Sequence, residues 1–287
     1  MESAFKTVAI IGKYMNPEIR EQILVLAEFL TEKHIGVLVE ETTAQQSDIQ
    51  AYPIADMDAI GSKAELAVVV GGDGTMLSVA RSLVDYSIPL VGINRGRFGF
   101  LTDLSSDSML SCLEKILSGK YTTEQRILLS ANISRYGEII GSGRALNDVV
   151  LNKSGAVRLI ELEVYIDGQF VYRQRSDGLI LATPTGTTAY SLSAGGPILH
   201  PTLDAIAMVP ICPHTLSNRP IAINSASNVE ITLIHAKDAS VHFDGQVQVP
   251  LQQGDSVLVR RAEKTITLLH PLGHSHYGML RDKLRWG

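Results

Sequence analysis

The residues with the most chemical capacity fall in one loop and three later segments. The loop lies in Leu66-Ala67-Val68-Val69-Val70-Gly71-Gly72-Asp73-Gly74-Thr75, where an apolar strand runs into a glycine turn and then a helical pattern from Thr75 to about Leu83. Glycine tolerates backbone angles closed to other residues and lets a bulky anion approach the main chain. The free N–H groups of a helix start then point at a phosphate. No Walker lysine follows, and no G-x-G-x-x-G follows the first strand as in an ordinary dinucleotide-binding dehydrogenase. A carboxylate beside phosphates is unfavourable unless it has a task. Asp73 therefore caps the helix, accepts a proton from an attacking hydroxyl, or holds Mg²⁺ through a water.

The second segment, Leu146-Asn147-Asp148-Val149-Val150-Leu151, offers paired acceptors suited to vicinal sugar hydroxyls. The third, Arg173-Gln174-Arg175-Ser176-Asp177-Gly178, pairs two cations with a carboxylate. Arg175 could steer a charged ligand, and Asp177 could accept hydrogen bonds from an amide. The fourth is Thr183-Pro184-Thr185-Gly186-Thr187-Thr188-Ala189-Tyr190-Ser191. Its hydroxyls, glycine and aromatic ring suit a nucleoside, with Tyr190 set against a base. Each segment also has a plain reading as a polar turn or strand end.

The elements that must position these residues follow two periodicities. Residues 1–120 alternate strand and helix patterns. Thr7–Ile11, Val37–Glu40, Leu66–Val70 and Ile88–Ile93 read as strands, and Pro17–Lys33 and Ser108–Leu117 as helices. Ile19, Ile23, Leu26, Ala27 and Leu30 share one helical face. This alternation predicts a mostly parallel sheet covered on both faces. Residues 121–270 read as strands and turns, with hairpins at Asp167-Gly168 and Asp244-Gly245. Residues 271–287 end in a short basic amphipathic stretch, Tyr277–Trp286, expected to pack back on the first domain. His274 and His276 could bind a metal, but read first as part of a surface loop.

Composition narrows the function classes. The chain has 287 residues, 45% of them hydrophobic, and a net charge of −5 from 25 basic and 30 acidic residues. That balance argues against a general nucleic-acid binder. Cys112 and Cys212 have neither disulfide-framework nor zinc spacing. No apolar run approaches the ~18 residues of a membrane span. A cytoplasmic enzyme or binding protein fits.

Taken together, Gly71–Thr75, Asn147-Asp148 and Thr183–Tyr190 resemble, in order and in type, the NAD kinase family of bacteria over essentially the whole chain. Gly-Gly-Asp-Gly alone is shared with diacylglycerol and sphingosine kinases and with phosphofructokinases; the Thr-Pro-Thr-Gly-x-Thr-Ala-Tyr stretch discriminates. The resemblance implies an α/β plus all-β architecture: a Rossmann-like N-terminal domain and a β-rich, β-sandwich-like C-terminal domain, with NAD in the cleft between them. It implies ATP and Mg²⁺, and a homo-oligomer, often a tetramer. It gives Asp73 the role of proton acceptor with Gly74 beside it, and Asn147 and Asp148 the adenosine ribose. Arg158, Arg175 and Asp177 fall at positions that contact NAD, Thr188, Ala189, Tyr190, Ser191, Leu192 and Ser193 line the same pocket, and Gln246 lies in the matching hairpin. Many members carry Glu at Asp148 and Ser at Thr187, which keeps the functional group. A charged residue at the Arg175 position goes with preference for NAD over NADH. The competing expectations are an NAD-sensing module without catalysis and a lipid kinase of the diacylglycerol type.

Overall fold

The computed structural model describes residues 3–12, 17–94, 99–153, 159–215, 217–236 and 238–286. The chain forms two compact units, residues 1–125 with 264–287, and residues 126–263.

The first unit is built on parallel strands β1 (Thr7–Gly12), β2 (Gly36–Glu40), β3 (Ile54–Ala55), β4 (Leu66–Val70) and β5 (Leu90–Asn94), in the order 3-2-1-4-5. β6 (Leu104–Ser105) adds to β5. Helices α1 (Pro17–Glu32), α4 (Asp73–Leu83) and α5 (Met109–Leu117) follow the expected periodicity. Ile19, Ile23, Leu26, Ala27 and Leu30 are buried, as the spacing of α1 requires. Two further helices, α2 (Glu41–Ser47) and α3 (Met57–Lys63), carried no apolar period to reveal them. Their ends are fixed by side chains: Glu40 accepts from the Thr42 and Thr43 amides at α2, and Asp56 from Ala59 at α3. The order reverses between β1 and β4, and such a switch point opens a crevice at the strands' carboxyl ends. The glycine loop leaves β4 there.

The second unit holds two antiparallel layers. One has the order β14-β13-β12-β9-β16-β17: β9 (Asp148–Lys153), β12 (Gly178–Ala182), β13 (Ala205–Ile211), β14 (Ile221–Asn224), β16 (Ala239–Phe243) and β17 (Val247–Leu251). The other contains β10 (Ile160–Ile166), β11 (Gln169–Ser176) and β15 (Val229–His235), with the hairpin of β7 (Tyr121–Arg135) and β8 (Glu138–Ala145). Leu129, Leu151, Leu162, Leu181, Ile231 and Phe243 come from both layers and share one core. The Asp167-Gly168 turn has two residues, both at positive φ (51° and 76°), as its hairpin demands. The Asp244-Gly245 turn differs from expectation. Pairing resumes at Phe243↔Val247, so Gln246 is a third loop residue whose amide donates to Phe243 O at 2.9 Å.

β18 (Ser256–Pro271) pairs with β15 through its first residues and, through Leu268, with Leu90 of the first unit's own sheet. Residues 264–287, ending in α7 (His276–Leu284), thus belong to the first unit. There His270 Nδ1 and His274 Nδ1 lie 2.8 and 2.9 Å from the same Oδ2 of Asp103, and His270 Nε2 lies 3.2 Å from Glu124. His274, read from sequence as surface loop, has a side chain only 14% exposed. The two imidazoles stack at 3.9 Å and 17°. Asp103, His270 and His274 thus form a largely buried cluster whose potential ligand atoms all lie within 4.8 Å of one another, held together by the shared Asp103 carboxylate. Burial pushes the Asp103 carboxyl up, but its histidine partners outweigh this and hold it at about 2. Burial opposes the charge on His270 too, and its carboxylate partners raise it above the ordinary value.

Candidate active site

In the first unit, Gly72 is the N-cap residue of α4 and Asp73 its first helical residue. Asp73 does not cap the helix. Its carboxylate turns to a neighbouring segment, where Oδ2 accepts the Phe100 amide at 2.8 Å and Oδ1 the Leu101 amide at 3.0 Å. Thr102 Oγ1 adds a longer contact of 3.4 Å and itself takes a hydrogen bond from Asn94 Nδ2 at 2.9 Å. Two main-chain donors thus fix the carboxylate, which stays half-exposed, with Gly74 exposed beside it. Gly71 is required because a β-carbon there would sit 2.6 Å from Thr75 Oγ1. The buried Thr75 hydroxyl has no hydrogen-bond partner among the described residues. Thr75 lines a cavity of about 170 Å³ with Gly12, Glu40, Thr42 and Ser78, residues of the switch-point crevice. No lysine lies in the loop, but the Lys283 ammonium on α7 feels Asp73. Burial lowers its proton affinity, and the Asp73 and Asp282 charges raise it in part.

In the second unit, a pocket of about 300 Å³ is lined by Asn147, Asp148, Asn152, Tyr190, His242 and Asp244, with Val150, Ala189 and Gly245. Asn147 and Asp148 stand at the start of β9, Ala189 and Tyr190 at the start of α6 (Tyr190–Ser193). Four of the expected residues are therefore together. Asp148 is only 4% exposed. Burial, with the Asp244 charge adding to it, pushes its carboxyl up to about 7. Burial lowers the proton affinity of His242.

The threonines of the Thr183–Ser191 segment hold the loop itself. Thr183 Oγ1 donates to Leu146 O at 2.5 Å and Thr187 Oγ1 to Pro184 O at 2.6 Å, while Thr185 Oγ1 accepts from Arg126 at 3.0 Å. Gly186 packs on the Asn147 carbonyl, where no β-carbon fits. The pocket face of the segment is Ala189 and Tyr190; Thr188, Ser191, Leu192 and Ser193 do not line it, and Ser191 is buried. Arg175 and Asp177 do not line this pocket. Arg175 is exposed on β11, and Asp177 pairs with Lys153 at 2.6 Å. Arg158 lies outside the described residues. His242, Asp244 and Asn152 were missed from sequence. The only signal was Asp244-Gly245, which read as a turn.

A glycine loop at a switch point and a polar pocket of about 300 Å³ in a β-rich unit are features that a nucleotide-dependent phosphotransferase needs. Comparison with known proteins gives the family. A model of the ATP-NAD kinase N-terminal domain matches residues 8–121, and one of the ATP-NAD kinase C-terminal domain matches residues 146–270. The chain is 52% identical over 287 residues to an NAD kinase of Thiobacillus denitrificans, covering 100% of this chain and 99% of that protein. It is 50% identical over 282 residues to an NAD kinase of Nitrosomonas eutropha, covering 98% and 95%. The crystal structure of yeast NADH kinase complexed with NADH matches with a TM-score of 0.86 at 27% identity, covering 98% of this chain and 87% of that one. An NAD kinase from Archaeoglobus fulgidus in complex with ATP shares the fold, with a TM-score of 0.77 at 24% identity over 97% of this chain and 98% of that one. The chain belongs to the ATP-NAD kinase family.

Proposed function

We infer that the protein transfers the γ-phosphoryl group of ATP to the 2′-hydroxyl of the adenosine ribose of NAD, giving NADP and ADP. The observation that carries this is the Asp73 carboxylate, released from helix capping and fixed by the Phe100 and Leu101 amides at the phosphate-binding loop. The bond from O2′ to the γ-phosphorus forms, the bond from that phosphorus to the β–γ bridging oxygen breaks, and the 2′-hydroxyl proton passes to Asp73. A carboxylate is too weak a base to ionise the hydroxyl beforehand. It need not, because phosphoryl-transfer transition states are loose and ask little of the nucleophile. Asp73 orients the hydroxyl and takes the proton late, an effect of roughly 10²–10⁴-fold. Neither the sensor nor the lipid-kinase reading explains both the fixed carboxylate and the polar pocket.

Asn147 and Asp148 are assigned the ribose hydroxyls, and Tyr190, with Thr188–Ser193 around it, the adenine. Arg158, Arg175, Asp177 and Gln246 are assigned further contacts to NAD. The Thr75 hydroxyl and loop amides are assigned the ATP phosphates. Mg²⁺ arrives with ATP. Its preference for carboxylate and phosphate oxygens fits a single half-exposed carboxylate at this loop, Asp73, and it would neutralise phosphate charge. A cytoplasmic homo-oligomer, a tetramer by resemblance, completes the reading. Exposed Tyr136 and Ile139 at the β7–β8 hairpin support self-association. Among the described residues, no helix is long and apolar enough to cross a membrane.

The test is incubation with Mg-ATP and NAD, following NADP, then repetition with polyphosphate as donor. No NADP with ATP sinks the assignment.

A further inference from the structure

Asp244 sits at the tip of the β16–β17 hairpin at positive φ (52°). Its carboxylate accepts three consecutive backbone amides from a segment about a hundred residues earlier. Oδ1 takes Asn147 N at 2.7 Å and Asp148 N at 3.2 Å, and Oδ2 takes Leu146 N at 3.1 Å. The Asp244 amide returns the bond to Asp148 O at 3.0 Å. A side chain that satisfies three successive main-chain donors fixes both the position and the direction of that backbone. Here the backbone carries the two residues assigned to the ribose.

We propose that Asp244 is a positioning residue for NAD recognition, holding Asn147 and Asp148 in the geometry that receives the ribose and setting its carboxylate beside that of Asp148. This rests on the NAD kinase reading. The titratable groups of this pocket are Asp148 on β9, His242 on β16, Asp244 on the β16–β17 turn and Tyr190 on α6. Of these, Asp244 is the one whose charge acts on Asp148, adding to the effect of burial. Ribose hydroxyls donate to a charged carboxylate, so NAD selects deprotonated Asp148. The Asp244 charge therefore ties NAD capture to pH near neutrality, while its oxygens supply the rigidity that offsets this.

Three proteins decide the matter: wild type, Asp244→Asn and Asp244→Ala. kcat and KM for NAD and for ATP are measured from pH 5.5 to 8.5, with circular dichroism as a folding check. Asp244→Ala loses all three acceptors, and kcat/KM for NAD is expected to fall roughly 10–100-fold, the scale of a displaced reacting group. Asp244→Asn keeps one oxygen for the Asn147 and Asp148 amides and removes the charge. It should recover much of that loss while the acid limb of kcat/KM for NAD moves to lower pH. KM for ATP should be unmoved in both. Wild type that makes no NADP overturns the kinase reading itself. Active wild type, with Asp244→Ala unchanged in kcat/KM for NAD or Asp244→Asn unchanged in its acid limb, overturns the role of Asp244 alone. A lowered melting temperature without either change counts against it in the same way. Should Asp244→Ala fail to fold, the limb of Asp244→Asn decides.

Discussion

Gly99 is packed so tightly against Asp73 that a β-carbon on it would land on the carboxylate. The Phe100 and Leu101 amides that hold Asp73 come from the next two residues. The glycine is thus what allows the donor segment to close on the proposed proton acceptor.

Replacing Asp73 with Asn keeps an acceptor for one amide and removes the base. Turnover should fall at least ~10²-fold, with KM for NAD little altered. Steady-state kinetics with NAD and ATP varied separately checks this, and unchanged turnover would falsify the assignment.

Gly99→Ala should act through Asp73 alone. The added methyl pushes the carboxylate away from its amides, and a displacement of about 1 Å can cost ~10²-fold in rate. A fall in kcat with retained helicity is expected; wild-type kcat would show that the close approach is catalytically idle.

Thr75→Val removes a buried hydroxyl that no group among the described residues satisfies. An unpartnered polar group costs about 1–3 kcal/mol where it is buried, so the variant should be as stable as wild type or more so. KM for ATP should rise if the hydroxyl serves a phosphate. A variant with lower stability and an unmoved KM for ATP would place Thr75 in the scaffold only.

The His270–Asp103 pair makes stability depend on pH in two windows. Asp103 is held at about 2, below its unfolded value, so its contribution is present above that value and fades as pH falls through about 2. His270 is raised, so its contribution is complete below the unfolded value of about 6.5 and fades as pH rises through the folded one. Melting temperatures should therefore decline on the alkaline side of the histidine range. His270→Gln should flatten that decline, and an identical slope in the variant would remove the pair from the account. Asp103→Asn, which keeps an acceptor oxygen but removes the charge beside His270, leaving Glu124 as its carboxylate partner, should cost about 1–3 kcal/mol.

Much of this was legible in the sequence because it rests on local signals. The α1 face, the all-apolar β4 running into glycines, and Asp167-Gly168 each state their geometry within a few residues. Asn147, Asp148, Ala189 and Tyr190 were found by composition and resemblance, and they do line one pocket. What was hidden depends on long-range pairing. Asp244 looks like any hairpin residue until its carboxylate meets amides of residues 146–148. His274 reads as loop because its partner, Asp103, is far away in the chain. Glu41–Ser47 lacks an apolar stripe, so its helix depends on a carboxylate cap from Glu40 that periodicity does not register. The threonines of Thr183–Thr188 carry a second task that composition does not show: Thr183 bonds the Leu146 carbonyl, Thr185 the Arg126 side chain, and Thr187 and Thr188 the carbonyls of their own turn.

The walls of the Asn147–Asp148 pocket are joined chiefly through main-chain atoms. Asp244 grips amides, Thr183 grips the Leu146 carbonyl, and Gly186 lies on the Asn147 carbonyl. The backbone of Asn147 and Asp148 is thereby held independently of their side chains. Changes at Asp244, Thr183 or Gly186 strike this frame directly. Across evolutionary drift, the frame should therefore be the slower-changing part of this site, and the residues facing the ligand the more readily retuned.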